Sequence, residues 1–250
     1  MFSPLDQFET ISLFGFNSPI VGNFYLSLSN FGFYAFLVLI IIVGLHYFSN
    51  NNAALIPSSY SMVFESLYST IGAIVKGQIG ENKEIYLPFI YSLFVFILIS
   101  NLISNVAYNF AITSSVILCL GLSVTIFLGV TIMALFKHQL KFFSFFVPAG
   151  TPLALVPLLV LIELVSYFAR SVSLGLRLFA NISAGHTLIA ILSTFLYKLF
   201  AASVLIFFVT LIPFGLFVAI LGLEIAVSFI QAYVFTLLLS SYIKDAEYLH

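Results

Sequence analysis

A chain of 250 residues that is 62% hydrophobic, 7% charged and of mean hydropathy +1.20 has more apolar surface than one globular core can hide, so it requires lipid. A net charge of -1, with eight basic residues spread singly, leaves no electrostatic footprint for nucleic acid and no polybasic lipid-binding tail. The one cysteine, Cys119, lies in the apolar run 116–122, where it packs as a small hydrophobe and cannot form an internal disulfide. Asp6 and Glu9 stand where a basic or Arg-rich leader would need cations, so no presequence is expected and targeting resides in the spans.

In chain order, residues 1–24 form an N-terminal segment, and Tyr25–Phe48 is the first apolar run long enough to cross a ~30 Å hydrocarbon core. The stretch Asn50–Glu84 contains Pro57, Glu65, Lys76 and a Gly77–Gly80 break, with Met62, Leu67, Ile71, Ile74 and Val75 at helical spacing. This predicts an amphipathic interfacial helix over 57–78 rather than a span. Ile85–Ala107 and Ser115–Phe136 are two further uncharged runs, joined by a short uncharged link and predicted to form an antiparallel hairpin. Lys137, His138 and Lys141 follow as a local basic cluster, which assigns that side to the compartment of insertion and the acidic N-terminus to the other.

The last hundred residues differ. Leu153–Leu196 and Leu199–Ile243 are each about 45 residues, or roughly 66 Å as helix, more than twice the hydrocarbon thickness. A helix of that length must tilt steeply, bend or break, and Pro157 and Pro213 offer places to bend. Tyr197 and Lys198 are the strong interruption, so a pair of long slanted helices with a tight turn there is expected. The fold class is therefore all-α and polytopic. It comprises three upright spans, one interfacial helix and a steeply tilted C-terminal hairpin in a single membrane domain. No internal repeat is evident, which weakens an inverted-repeat transporter. No metal-ligand spacing, phosphate loop or nucleophile triad occurs, and no cofactor is called for.

Among the eight basic and nine acidic residues, Glu163, Arg170, Arg177 and Glu224 interrupt the two long runs. A charge at mid-membrane costs about 2.5–3.5 kcal/mol on insertion scales, which makes each a functional candidate. A buried ion pair tying helices together is the competing structural explanation. Glu163, Arg170 and Arg177 are seven apart, so each returns within about 20° of the same helix face. Successive members are roughly 10.5 Å apart along the axis. That spacing is expected to exclude direct salt bridges within the helix, leaving water or another element as partner. Ser173, Ala180, Asn181 and Ala184 keep the flank of Arg177 small, which lets another helix approach. Arginine stays protonated in proteins, so Arg177 is a fixed positive charge and not a proton carrier.

His186 falls nine residues beyond Arg177, about 180° round the helix. Glu224 and Gln231 share a face of the next helix, and antiparallel pairing could set it against His186. A histidine and a desolvated carboxylate both titrate within reach of physiological pH, a plausible pair for proton entry. A histidine merely satisfying a backbone carbonyl is the bland alternative. His46, His138 and His250 are expected at span ends, and Lys198, Lys244, Asp245 and Glu247 at the interface. Asp245 stands out because it ends the second long helix near the membrane face of Glu163.

The segment SYFARSVSLGLRLFANISAGH, residues 166–186, resembles the signature of subunit a of F-type ATP synthases. The resemblance extends to SPLDQFE at 3–9, KGQIG at 76–80, FVPAGTPL at 146–153, Glu224 with Gln231-Ala-Tyr, and Tyr242-Ile-Lys-Asp-Ala. Together these resemble the mitochondrially encoded fungal form. The resemblance implies that Arg177 is the essential arginine facing a rotating ring of c subunits, with Asn181 and Gln231 as polar neighbours of the pathway. It further implies that His186 and Glu224 line a half-channel open to the intermembrane space. Glu163, with Asp245, would serve the half-channel open to the matrix, and Arg170 is a further candidate for proton translocation. Bacterial members commonly carry a carboxylate at the position of His186 and a histidine at that of Glu224. The implied partners are the c-ring, peripheral-stalk and other membrane subunits, and the bilayer. The implied location is the mitochondrial inner membrane, N-terminus in the intermembrane space and C-terminus on the matrix side, with Met1 and Phe2 removed to leave Ser3. Two other readings stay open on the residues alone: a self-contained channel or transporter, which conducts by itself, and a structural anchor, which tolerates loss of the Arg177 charge.

Overall fold

The computed structural model describes residues 6–18, 24–50, 58–80, 84–106, 109–147, 155–201 and 204–248. The expected mature start at Ser3 and the residues Met1, Phe2, Pro57 and His250 lie outside this set. The protein is all-α in its long elements and polytopic: among the described residues five helices are long and apolar enough to cross a membrane. Helix α1 is Asn30–Asn50, α2 Ser59–Ile79, α3 Leu87–Ser104, α4 Val116–His138, α5 Val156–Phe200 and α6 Val204–Glu247.

The N-terminal region adds an element that hydropathy does not announce. Strands β1, Ser12–Ser18, and β2, Phe24–Ser29, pair antiparallel with Ser18 opposite Phe24 and Ser12 opposite Ser29. Span one therefore begins at Asn30 rather than Tyr25. Leu26-Ser27-Leu28-Ser29 alternates with period two, the strand signature, and only beyond it does the run become uniformly apolar.

Helix α2 is amphipathic. The Ser58 hydroxyl accepts from the Ser61 N–H at 3.3 Å as an N-cap, and Ile71, Gly72, Val75 and Ile79 line the buried side at i, i+1, i+4, i+8. It runs through Gly77 and ends before Gly80. Helix α5 likewise runs through Tyr197 and Lys198 to Phe200, so the turn comes later than the interruption suggested. Both residues are acceptable in helix, and a lysine in the last turn complements the helix dipole. Pro157 occupies the first turn of α5, where its missing N–H breaks no helical hydrogen bond, so it is not a bend. Pro213 does lie inside α6.

The contacts of the chain gather into two compact units, and α3, α5 and α6 each contribute to both. One unit comprises Met1–Phe48, Val95–Ser115 and Phe179–Ala232. It holds the β hairpin, nearly all of α1, and the α5 and α6 segments that meet around His186 and Glu224. The other comprises Ser49–Phe94, Val116–Leu178 and Tyr233–His250. It holds α2, α4 and the segments carrying Glu163, Arg170, Arg177 and Asp245. Helix α1 buries only Val38 fully, while Phe36, Leu39, Ile40, Val43, Tyr47 and Phe48 are exposed, a surface suited to acyl chains rather than water.

In the second unit α4 and α5 approach closely because Gly175 has no side chain. A Cβ at 175 would fall 2.7 Å from the main-chain oxygen of Cys119 and 2.5 Å from Ser123 Oγ, and backbone cannot swing aside. Gly175→Ala is expected to lower stability by about 1–3 kcal/mol, the usual cost of overpacking. The matched Gly121→Ala, at a helical position open to at least 4 Å, meets no neighbour and should gain about 0.5–1 kcal/mol of helix propensity instead. Thermal unfolding of the detergent-solubilised protein compares the two, and equal midpoints would refute the close approach.

Candidate functional site

In the first unit, His186 of α5 and Glu224 of α6 face one another with Nε2 3.9 Å from Oε1. Both are largely enclosed, at 15% and 7% side-chain exposure. Gly185 makes this possible. A Cβ there would lie 2.7 Å from Glu224 Oε1, so the carboxylate rests directly against the α5 backbone. Phe8 packs edge-on to the imidazole, ring centroids 6.3 Å apart, fixing its plane.

His186 and Glu224 open into a cavity of about 1030 Å³. Glu9, Asn30, Tyr34, Asn105 and Asn109 supply polar atoms to its wall, so water can fill it. Asn105 also ties the wall to α6: its Nδ2 donates to Ser228 Oγ at 2.9 Å, and Ser228 donates to the Glu224 main-chain oxygen at 3.0 Å. Sequence reasoning passed over Glu9, Asn105 and Asn109. The available signal was Asn101 and Asn105 one helical turn apart near the end of an apolar run.

In the second unit, Arg170 lies between two carboxylates. Its Nη2 is 3.6 Å from Glu163 Oε1 and its Nη1 donates to Asp245 Oδ2 at 3.4 Å. The expectation that seven residues exclude a direct salt bridge is thus wrong for this pair. Cα–Cβ bonds on a helix tilt toward its N-terminus, so the long Arg170 side chain reaches back along the axis while the Glu163 carboxylate closes the rest. Tyr242 donates to the Arg170 main-chain oxygen at 3.4 Å, and Tyr167 bonds Thr131 through its hydroxyl at 2.8 Å. Tyr167, Arg170, Tyr242 and Asp245 share the wall of a cavity of about 20 Å³ with Phe127 and Phe142, room for about one water.

Arg177 is different. It is exposed, and it makes no ion pair or hydrogen bond among the described residues. Leu176 beside it is also exposed, as is Ser173 one turn earlier. In the other unit Ala180 and Ala184 are exposed, Asn181 is half-buried and Gln231 is buried, and neither amide makes a hydrogen bond among the described residues.

Two residues expected at span ends or at the interface, His138 and Glu247, are packed against other elements. Glu247 is 4% exposed and ion-paired with Lys137, and His138 is half-buried against the Ala246 carbonyl. The sequence reading placed them by closeness to span ends, but the end of α6 packs against the end of α4. Lys244 is exposed.

Residues 32–244 match the model of the family described as ATP synthase A chain. ATP synthase subunit a of Mycosarcoma maydis is 55% identical over 248 residues, covering 99% of this chain and 98% of that protein. The subunit a of Emericella nidulans is 51% identical over 249 residues, covering 99% and 97%. That of Saccharomyces cerevisiae is 48% identical over 251 residues, covering 99% and 96%. With a family match over most of its length and relatives of this identity spanning it almost end to end, the chain belongs to the ATP synthase A chain family.

Proposed function

We propose that this chain is the non-catalytic, proton-translocating stator subunit of an ATP synthase in the mitochondrial inner membrane. In this role it passes protons to and from carboxylates on a rotating ring of c subunits. The observation that carries this reading is Arg177, a permanent charge exposed on an apolar helix and without an ion pair or hydrogen bond among the described residues. Such a charge in lipid calls for a counter-charge, a hydrogen-bonding partner or water, and a carboxylate brought by another protein meets that need. The ring supplies one at each step.

His186 and Glu224, at 3.9 Å on the wall of a wide polar cavity, form the half-channel on the intermembrane-space side, with Asn181 and Gln231 as its polar neighbours. Glu163, Arg170 and Asp245 form the half-channel on the matrix side. A proton arriving through His186 and Glu224 neutralises a ring carboxylate, which can then turn into lipid at low cost. After nearly a full rotation the carboxylate meets the matrix half-channel, ionises, and is held by Arg177. The Arg177 charge repels a proton that would otherwise leak from one half-channel to the other. The membrane potential adds about 2.3 kcal/mol per charge per 100 mV. The N-terminus faces the intermembrane space and the C-terminus the matrix. Helix α2 lies along the lipid surface, and the exposed apolar faces meet lipid, the peripheral stalk and other membrane subunits.

Arg177→Ala is expected to abolish proton-driven ATP synthesis while the complex still assembles. Normal synthesis rates in assembled mutant complexes reject the mechanism, and conduction by the purified chain without the ring favours a self-contained channel instead. Gly185→Ala pushes the Glu224 carboxylate away from α5 but leaves the backbone room to stay folded, since the clash is with a mobile side-chain end. Its proton conduction per assembled complex should fall about tenfold, corresponding to about 1.4 kcal/mol. The check is ATP-driven proton pumping in proteoliposomes, normalised to the amount of assembled complex.

A further inference from the structure

The last turn of α6 is held by a cluster that the proposed proton path does not use. Helix α6 ends at Glu247, whose carboxylate is buried where a chain end would ordinarily fray into water. Lys137, next to last in α4, has its Nζ 2.5 Å from Glu247 Oε1 and also donates to the Glu247 main-chain oxygen at 3.2 Å. Tyr86, in the turn before α3, donates to Glu247 Oε2 at 3.3 Å. His138 Nε2 lies 3.1 Å from the Ala246 carbonyl. The carbonyls of Ala246 and Glu247, beyond the reach of helical N–H partners, are thus capped by two side chains from the end of α4. Cations at this end of α6 also complement its dipole.

Asp245 lies two residues before Glu247. At 100° per residue the two point about 200° apart, so a turn fixed by Glu247 on one side fixes Asp245 on the other. On that other side Asp245 meets Arg170, with Glu163, Tyr167 and Tyr242 as the remaining ionisable groups there. At 3.4 Å the Arg170–Asp245 contact is at the long end of a hydrogen bond, so a modest rotation of the turn breaks it.

We propose that Glu247 is a positioning residue: clamped by Lys137 and Tyr86, it sets the rotation of the last turn of α6 so that Asp245 stays against Arg170. Its consequence for proton transfer rests on the reading of Asp245 and Arg170 as part of the matrix half-channel, whereas the clamp itself does not. Glu247 does not touch the path, and it acts through Asp245.

The test uses the assembled ATP synthase carrying Glu247→Ala, the charge swap Lys137→Glu with Glu247→Lys, and Asp245→Asn, each compared with wild type. Two readouts are taken: amide hydrogen exchange over residues 241–248, and proton-driven ATP synthesis per assembled complex. Normalising to assembled complex removes a purely structural loss. Glu247→Ala is expected to speed exchange over this turn about tenfold and to lower synthesis several-fold. The swap, which keeps a charge pair across the same gap, should recover more than half of both. Unchanged exchange in Glu247→Ala overturns the clamp, as does a swap that recovers nothing. Faster exchange with unchanged synthesis overturns the positioning role. If Asp245→Asn alone leaves synthesis unchanged, the half-channel reading fails, and exchange in the Glu247 and Lys137 variants still decides the clamp.

Discussion

A charge held in hydrocarbon needs a counter-charge, a hydrogen-bonding partner or water, because without one it costs about 2.5–3.5 kcal/mol at the centre of a span. That requirement organises α5 and α6. Arg170 is held between Glu163 and Asp245, Glu224 faces His186, and Glu247 is clasped by Lys137 and Tyr86. Each arrangement draws its partners from a neighbouring helix turn or element, so each also fixes how those elements pack. Arg177 breaks the pattern. Among the described residues no carboxylate pairs with it, which leaves its charge open to a counter-charge from elsewhere.

Helical geometry makes these arrangements compatible with lipid. Within α5 and α6 nearly all backbone polar groups are satisfied internally, so the helices can carry ionisable groups at intervals without opening the backbone to hydrocarbon. Close contact is then set by the smallest side chains. Gly175 lets α5 rest on the backbone of α4, and Gly185 lets the Glu224 carboxylate rest on α5. The first contact serves packing and the second serves the site, yet the physical device is the same.

The five apolar helices were legible because length and hydropathy are strong signals, and the intramembrane charges were legible because they are expensive there. What escaped was decided by side-chain reach and by packing. The Glu163–Arg170 pair was excluded on axial distance between backbone positions, which neglects how far an arginine extends toward the helix N-terminus. The burial of Glu247 escaped because sequence does not show that α4 ends beside it. The β hairpin was hidden because the alternation in its second strand, residues 26–29, is brief beside the long run that follows. Asn105 gained its place on the cavity wall from its bond to Ser228, a contact 123 residues away along the chain.

The small cavity beside Arg170 and Asp245 has a consequence for what it can hold. About 20 Å³ between aromatic rings accommodates about one water, which is enough for a hydrogen-bonded hop between neighbouring oxygens. An alkali cation would have to shed its hydration shell to enter, and the wall offers one carboxylate and two phenols in place of a full set of oxygen ligands. The tight packing of Phe127, Phe142 and Tyr167 therefore leaves, beside Arg170 and Asp245, room for a single bridging water and not for a hydrated ion.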